Sequence, residues 1–272
     1  MNMFIRLLIG LAAAIVIALL AWRAGSLSRG GALAATLVGT VIFGLGGWQW
    51  AVILLAFFIS SSLLTRLFRK RKAEVDEKFS KGGQRDAGQV LANGGIPAVF
   101  AALSLLLPSA PWTWWAFAAS MAAVNADTWA TELGVLNPTP PRLITSGRRV
   151  EKGTSGGVSL YGSLSALAGA GLIAGLAVLF APASTLTQEP WTAFGVVCLS
   201  GLLGALFDSL LGATVQGIYR CPTCAKETER HPLHLCGSPT GLIRGWKWLN
   251  NDLVNAACSA CGAGVVLLAW FI

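Results

Sequence analysis

The run FIRLLIGLAAAIVIALLAW, residues 4–22, decides the fold, because it is long and apolar enough to cross a bilayer as one helix. Similar runs recur along this 272-residue chain, which is 54% hydrophobic and 12% charged. A soluble domain averages about 25% charged residues. We therefore predict an all-α, polytopic membrane helix bundle that forms a single domain over residues 1–272. About eight spans are expected, at 4–22, 31–47, 49–65, 90–108, 112–133, 157–181, 191–216 and 251–272.

Three details refine this prediction. The first run lacks a strongly basic start and further spans follow it, so it is interpreted as a retained anchor and not a cleaved signal. A turn at Gly46 and Gly47 makes the second and third spans a tight hairpin. The fourth and the last spans have the least regular apolar pattern, because Asn93, Gly94, Gly95 and Pro97 interrupt one apolar run and Asp252, Asn255 and Ser259 interrupt the other.

The positive charge is confined to one side of the predicted bundle. Of the 20 Lys and Arg residues, only Arg6 lies outside the segments 23–30, 66–89, 134–156 and 217–250. With eight spans these segments share one side, which the positive-inside rule makes cytoplasmic. We expect an integral protein of a prokaryotic plasma membrane with both termini outside. The rule explains the net charge of +8, so no nucleic-acid partner is expected, and membrane lipids are the natural neighbours.

Acidic residues inside the spans are the strongest candidates for chemistry, because a carboxylate in a span is costly unless it is paired or metal-bound. Asp127 lies in NADTWATELG, residues 125–134, with Glu132 five positions later. Five residues correspond to about 140° around a helix, so both acids meet one ligand only if the helix ends or bends near Gly134. A helix-terminal carboxylate that reaches water is the plainer alternative for Asp127.

A second acid lies in the seventh span, where Gly204, Asp208, Gly212 and Gln216 form one stripe at a spacing of four. The last span opens with Asn251 and Asp252, and Asn255 follows one turn later. Hydrogen bonding between helices is the alternative role for these polar residues. Carboxylate, amide and phosphate oxygens are the ligands that Mg²⁺ prefers. We therefore predict a Mg²⁺–nucleotide site formed by Asp127, Glu132, Asp208 and Asp252.

Two basic, glycine-rich segments are typical of phosphate binding. A glycine-rich turn before a helix presents free backbone N–H groups, and nearby cations complete an anion site. The alternative is a plain helix connection. The residues concerned are Lys81, Arg85 and Asn93 in the first segment, and Arg142, Arg148, Arg149, Lys152, Gly153, Thr154, Ser155, Gly156 and Gly157 in the second, where the sixth span is expected to begin.

Six cysteines complete the inventory. Four potential ligands, Cys221, Cys224, His234 and Cys236, lie in the cytoplasmic segment 217–250 and have a spacing compatible with a structural Cys₃His zinc site. His234 is preferred over His231 because it neighbours Cys236. A polar loop with free thiols is the alternative. The remaining cysteines, Cys198, Cys258 and Cys261, are interpreted as packing residues.

The motifs resemble those of an integral-membrane family that includes the plant chloroplast phytyl-phosphate kinase of the vitamin E pathway and human transmembrane protein nineteen. The resemblance is carried by GGQRDAGQVLANGG (82–95), ADTWATELG (126–134), RLIT (142–145), VEKGTSGGVS (150–159), DSLLGAT (208–214) and NDLVN (251–255). It implies phosphoryl transfer from a nucleoside triphosphate, with CTP expected, to a prenyl or phytyl monophosphate. The Cys/His segment is not shared by every member.

The residues suit this chemistry, because a phosphate monoester needs no general base and phosphoryl transfer depends on positioning and charge neutralisation. Asn251 and Asn255 are expected to orient ligand oxygens. Two other functions remain open: a nucleotidyltransferase that makes a CDP-linked lipid, and a transporter or flippase for a lipid carrier. The sequence leaves the lipid chain length, the nucleotide, the metal and the oligomeric state open.

Overall fold

The computed structural model describes residues 2–72, 83–186 and 189–272, and within these ranges eight long helices dominate. A π-helical turn, Ile42–Gly46, extends the second helix. The positive φ of 101° at Gly47 then turns the chain back, as the predicted hairpin requires. The helices are α1 Met3–Arg23, α2 Arg29–Val41, α3 Trp48–Lys72, α4 Ala87–Leu106, α5 Trp112–Gly134, α6 Leu160–Leu179, α7 Pro190–Thr214 and α8 Asn251–Phe271.

This arrangement confirms the predicted helix bundle. Seven of the eight helices in the described ranges are long and apolar enough to cross a membrane. The exception is α5, which packs against α3, α4, α6, α7 and α8. Because other helices cover it, α5 does not need the lipid-facing apolar residues that the outer helices carry.

Small residues let the helices around α5 approach closely. A Cβ atom built on Gly204 of α7 would lie 2.5 Å from the Cβ of Ala123 in α5. One built on Gly262 of α8 would lie 2.7 Å from the carbonyl oxygen of Ala119. Since hydrophobic burial gives no drive between helices in lipid, such close van der Waals packing holds this part of the bundle together.

The fourth and last predicted spans form continuous helices, α4 and α8, although polar residues, glycines and Pro97 interrupt their apolar runs. The glycine in α4 serves packing instead, since a Cβ on Gly94 would lie 2.7 Å from Cγ1 of Val38 in α2. Pro97 is accommodated as a buried residue inside α4.

Two small antiparallel sheets lie in the connections. In the α5–α6 connection, β1 (Arg142–Leu143) pairs with β2 (Gly157–Val158). In the α7–α8 connection, β3 (Ile218–Arg220), β4 (Glu227–Thr228) and β5 (Gly241–Arg244) form a sheet in the order β4-β3-β5. Both sheets stand at the same end of the bundle, where the candidate site opens.

Candidate functional site

A polar cavity of about 470 Å³ opens at the end of the bundle where the α3–α4, α5–α6 and α7–α8 connections meet. Most of the predicted site residues contribute to its wall. They are Arg85, Asn93, Asp127, Glu132, Lys152, Gly153, Thr154, Ser155, Gly156, Gly157, Asp208, Asn251 and Asn255.

The acids of α5 and α7 lie at the same level of this cavity. Both helices end beside it, so they run in the same direction. Ala123 and Gly204 touch, and one turn further along each helix come Asp127 and Asp208. The Oδ2 atom of Asp208 is buried and has no hydrogen-bond partner within the described residues. Two acids, Asp127 and Glu229, are close enough to act on it electrostatically. A carboxylate in this position needs a cation or a proton.

Glu132 also lies in the wall of this cavity, where a residue of α3 holds its carboxylate. Thr65 Oγ1 in α3 donates a hydrogen bond of 2.9 Å to Glu132 Oε1. Helix α5 ends at Gly134, where the sequence required an end or a bend if both acids were to meet one ligand. Asp127 and Glu132 both lie in the wall of this cavity. Burial lowers the pKa of Arg85 to about 10, and the nearby charge of Glu132 opposes that shift. Arg85 therefore keeps its charge at neutral pH beside Glu132.

The chain around Arg85 is fixed by the α1–α2 connection. The N–H of Arg85 donates to Ser26 O at 3.0 Å, and the N–H of Ser28 donates to Arg85 O at 3.0 Å. The guanidinium lies over the rings of Phe57 and Phe58, at 5.3 and 5.7 Å from their centroids. The Nη1 atom of Arg85 and the Oε1 atom of Gln89 are both buried, and neither has a hydrogen-bond partner within the described residues. Both atoms are free to bind a ligand.

The glycine-rich loop lies against α7 and does not start α6. A Cβ on Gly156, whose φ is +81°, would lie 2.5 Å from the backbone nitrogen of Ala213, so only glycine fits there. The expectation that the sixth span begins in this loop is wrong: α6 begins at Leu160, and Ser159 caps it by accepting the N–H of Gly162. Strand β2 lies between the glycine-rich loop and α6, and its pairing with β1 keeps Gly157 and Val158 extended.

Glu229 is a cavity residue that the sequence analysis did not find. It directly follows β4 and accepts hydrogen bonds on Oε1 from Ser155 Oγ at 2.7 Å and from Gln216 Nε2 at 3.0 Å. It thereby connects the Cys/His segment to the glycine-rich loop and to the end of α7. Two acids, Glu227 and Glu229, lie between the Cys-x2-Cys pair and His234, and only the fold of this segment decides which of them reaches the cavity.

Some predicted residues lie away from the cavity. Arg148 and Arg149 are exposed and absent from its wall, as is Arg142, whose Nη1 donates to Gly147 O at 2.8 Å. Asp252 lies in the first turn of α8 and is also absent from the wall. Lys81 lies outside the described residues. The roles assigned to these residues stay predictions.

A second cavity, of about 290 Å³, adjoins the first and is almost wholly apolar. It lies between α1, α2, α3 and α4, and its wall includes Ala18, Ala35 and Phe57. The two cavities share Arg85, Gln89 and Asn93. A polar space and an apolar space therefore meet at one basic residue.

The Cys/His segment gathers its four predicted ligands. One ligand atom each of Cys221, Cys224, His234 and Cys236 lies within 4.8 Å of the others. Hydrogen bonds from Ser238 and His234 lower the pKa of Cys236 to about 5, whereas a hydrogen bond with Cys236 and burial raise the pKa of Cys224 to about 11. The other histidine, His231, stacks on Tyr219 with ring centroids 4.5 Å apart.

The chain matches the family described as integral membrane protein DUF92 over residues 12–263. It is similar to Protein PGR of Arabidopsis thaliana, with 36% identity over 92% of this chain and 91% of that protein. An uncharacterized membrane protein of Methanocaldococcus jannaschii is 33% identical over 79% of this chain and 86% of its own length.

A more distant relative is Protein VTE6, chloroplastic, of Arabidopsis thaliana. It is 26% identical over 89% of this chain and 65% of its own length. No solved structure matches the chain.

Proposed function

The chain belongs to the integral membrane protein family DUF92, and we propose that it is a membrane-embedded, Mg²⁺-dependent lipid-phosphate kinase. It transfers a phosphoryl group from a nucleoside triphosphate, with CTP as the expected donor, to a prenyl or phytyl monophosphate and yields the diphosphate. The similarity of its motifs to the family that includes the plant phytyl-phosphate kinase supports this choice of reaction.

The junction between the two cavities is the observation that carries the proposal. A lipid phosphate needs an apolar space for its chain and a basic group for its head, and these meet at Arg85, Gln89 and Asn93. With the chain between α1, α2, α3 and α4, the phosphate faces the acids of α5 and α7. The unpartnered Nη1 atom of Arg85 can donate to a phosphate oxygen there.

The acids fit a Mg²⁺ ion that arrives with the nucleotide. Asp208 presents a buried Oδ2 with no hydrogen-bond partner in the described residues, and Asp127 and Glu229 flank it. Hard oxygen ligands of this kind suit Mg²⁺, which is held by one or two carboxylates together with substrate phosphates. Bound there, the ion would neutralise charge on the phosphates of the nucleotide.

The protein groups around this acid cluster would hold the donor. The backbone of the loop 153–157 forms part of the cavity wall, and Lys152 adjoins it, with Nζ donating to Val135 O at 3.1 Å. A glycine-rich backbone can approach phosphates closely because it carries no side chains. Asn251 and Asn255 lie on the cavity side of α8 and can orient ligand oxygens.

In the transfer itself, an oxygen of the lipid phosphate attacks the γ-phosphorus of the donor. The bond from that phosphorus to the β–γ bridging oxygen breaks, and the nucleoside diphosphate leaves. The attacking oxygen is already anionic near neutral pH, so Arg85 needs only to hold it in line. The site faces the cytoplasm in this proposal, because the basic connections border it.

Product analysis tests the proposal. Purified protein in detergent is incubated with Mg²⁺, each nucleoside triphosphate in turn, and prenyl or phytyl monophosphates of several chain lengths. A kinase yields CDP and the lipid diphosphate in equal amounts. Release of pyrophosphate with a CDP-linked lipid, or ion-driven lipid movement without nucleotide consumption, would overturn it.

A further inference from the structure

We propose that Cys221, Cys224, His234 and Cys236 bind one Zn²⁺ ion that holds the α7–α8 connection in shape. Cys221 and Cys224 lie in one turn of this connection, and His234 and Cys236 lie in another. Cys221 and Cys236 are 15 residues apart in the sequence. None of the four residues lines the polar cavity, so an ion bound by them would not take part in the proposed phosphoryl transfer. The ion therefore has a structural task.

The distances between the ligand atoms suit a tetrahedral ion. Cys221 Sγ lies 3.6 Å from Cys236 Sγ, and Nδ1 of His234 lies 3.3 Å from Cys236 Sγ. A tetrahedral Zn²⁺ with Zn–S bonds of about 2.3 Å separates two sulfur ligands by about 3.8 Å. A disulfide would need the sulfurs about 2.05 Å apart, and all the cysteines concerned are free.

The backbone arranges the ligands before any ion binds. Cys221 follows β3 directly, and its N–H donates to Lys226 O at 3.0 Å across the hairpin. The N–H of Cys224 points at Cys221 Sγ over 3.4 Å. In the second turn, the N–H of Gly237 donates to His234 O at 2.9 Å. Both turns therefore direct their side chains to one point, as small Cys-x2-Cys zinc modules require.

Three thiolates and one imidazole complete the coordination of Zn²⁺, so no position remains for water or substrate. Zinc is favoured over iron–sulfur chemistry because one of the four ligands is a histidine. The other histidine of the segment is already engaged with Tyr219. The ion at this site would act by holding the two turns together.

The proposed zinc site would also affect the polar cavity, because Glu229 lies in the same connection as the four ligands. The hairpin turn that carries Cys221 and Cys224 leads into β4, and Glu229 is the next residue after that strand. A fixed hairpin therefore fixes the acid that contacts Ser155 and Gln216 in the cavity. This consequence rests on the proposed function, whereas the metal site rests on the four ligands alone.

Metal analysis tests the site directly. Full-length protein is purified in detergent without chelators, and its zinc and iron contents are measured by mass spectrometry. About one zinc per chain is expected for a closed structural site. Zinc-free protein is then titrated with Co²⁺, which should give the visible spectrum of a tetrahedral thiolate complex. Iron in place of zinc, or a chain that holds neither Zn²⁺ nor Co²⁺, overturns the proposal.

Matched variants separate ligands from bystanders. Cys224→Ser and His234→Gln should each weaken zinc binding by at least about 100-fold, since loss of an outer partner of a metal ligand already costs about 10- to 100-fold. Cys261→Ser and His231→Gln, the same changes outside the four-residue set, should keep their zinc. If the two control variants lost as much zinc as the two ligand variants, the assignment of the four ligands would be wrong.

Two further measurements separate the metal site from the kinase. Protease cleavage within residues 217–250 should become faster after zinc removal, whether or not the protein is a kinase. If the protein is a kinase, Cys224→Ser should lower turnover to the level of Glu229→Gln, and Glu227→Gln, at an exposed neighbour, should not. Zinc bound without any kinase activity would refute the function and keep the metal site.

Discussion

The two halves of the bundle are built differently. In α5, α6, α7 and α8 small residues make many of the close contacts, and α5 alone buries Ala116, Ala118, Ala119, Ala122, Ala123 and Ala126 completely. In α1, α2, α3 and α4, close contacts such as that of Gly94 with Val38 still leave a cavity of about 290 Å³ with Phe57 and Phe58 in its wall, and we call this half loosely packed because of that cavity. Close packing fixes charged groups at defined positions, whereas loose packing leaves room for a flexible chain.

In the proposed function, the two halves would have different tasks. The closely packed half holds Asp127 and Asp208 and would carry the phosphoryl chemistry. The loosely packed half would bind the lipid chain, whose length and conformation vary. Arg85 stands where the halves meet, so the comparison can be tested separately on each side and at the junction.

Removing an acid from the closely packed half should have the largest effect. Asp208→Asn, and likewise Asp127→Asn, should lower kcat by about 10²- to 10³-fold, the size of loss found when one preorganised electrostatic group is removed. The measurement is CDP release by protein whose melting temperature matches the wild type. Glu189→Gln, the same type of change at the exposed opposite end of α7, is the control. Near-normal turnover in Asp208→Asn would remove the acids from the mechanism.

The junction should show the next largest effect. Arg85→Gln removes a charge-assisted hydrogen bond worth about 2 kcal/mol, so kcat/KM for the lipid phosphate should fall about 30-fold. Arg85→Lys should recover part of this loss, because it restores the charge without the fork geometry. An unchanged kcat/KM in Arg85→Gln would detach the apolar cavity from the polar one.

Filling the loosely packed half should affect only long lipids. Ala35→Phe takes up space in the apolar cavity and should raise KM for a long-chain prenyl phosphate about tenfold, as expected when about two methylenes lose their contact. KM for a short-chain substrate should stay the same. Leu33→Phe, which faces outward from the same helix, serves as the comparison. Equal effects on short and long chains would place the lipid elsewhere.

The exposed arginines should show the smallest effect. Arg148→Gln and Arg149→Gln change residues that lie outside the cavity wall, so kcat/KM should change less than about threefold at physiological salt. Titration of KM for CTP against salt concentration checks whether they attract the nucleotide from a distance. A loss as large as that of Arg85→Gln would show that their loop moves onto the substrate.

The sequence predicted the bundle and its acids because both depend on local rules. Long apolar runs determine the helices, and a carboxylate in such a run is conspicuous wherever the helix packs. The stripe of Gly204, Asp208 and Gly212 predicted a place for a close helix partner, and in the structure α5 with Asp127 packs against it. The residues that interrupt the apolar runs of α4 and α8 do not break these helices, and Gly94 serves close packing against Val38.

Features of the connections could not be predicted in this way. The short strands β1 and β2 pair and close a loop over residues 144–156, in which Arg148 and Arg149 are exposed, and Ser159, not the glycine turn, caps the start of α6. Glu229 reaches the cavity only because a hairpin returns the chain toward α7. Charge and glycine content predict which connections would bind phosphate, but the fold of each connection decides which side chains face the cavity.

The enclosure of α5 has a consequence for biogenesis. It carries Asn125, Asp127 and Glu132, and it is the one long helix of the described ranges that is not among those apolar enough to cross a membrane. It leaves the ribosome before α6, α7 and α8, which later cover most of its surface. We therefore expect nascent α5 to wait beside the translocon until these helices emerge, and chains truncated after Gly134 to be degraded.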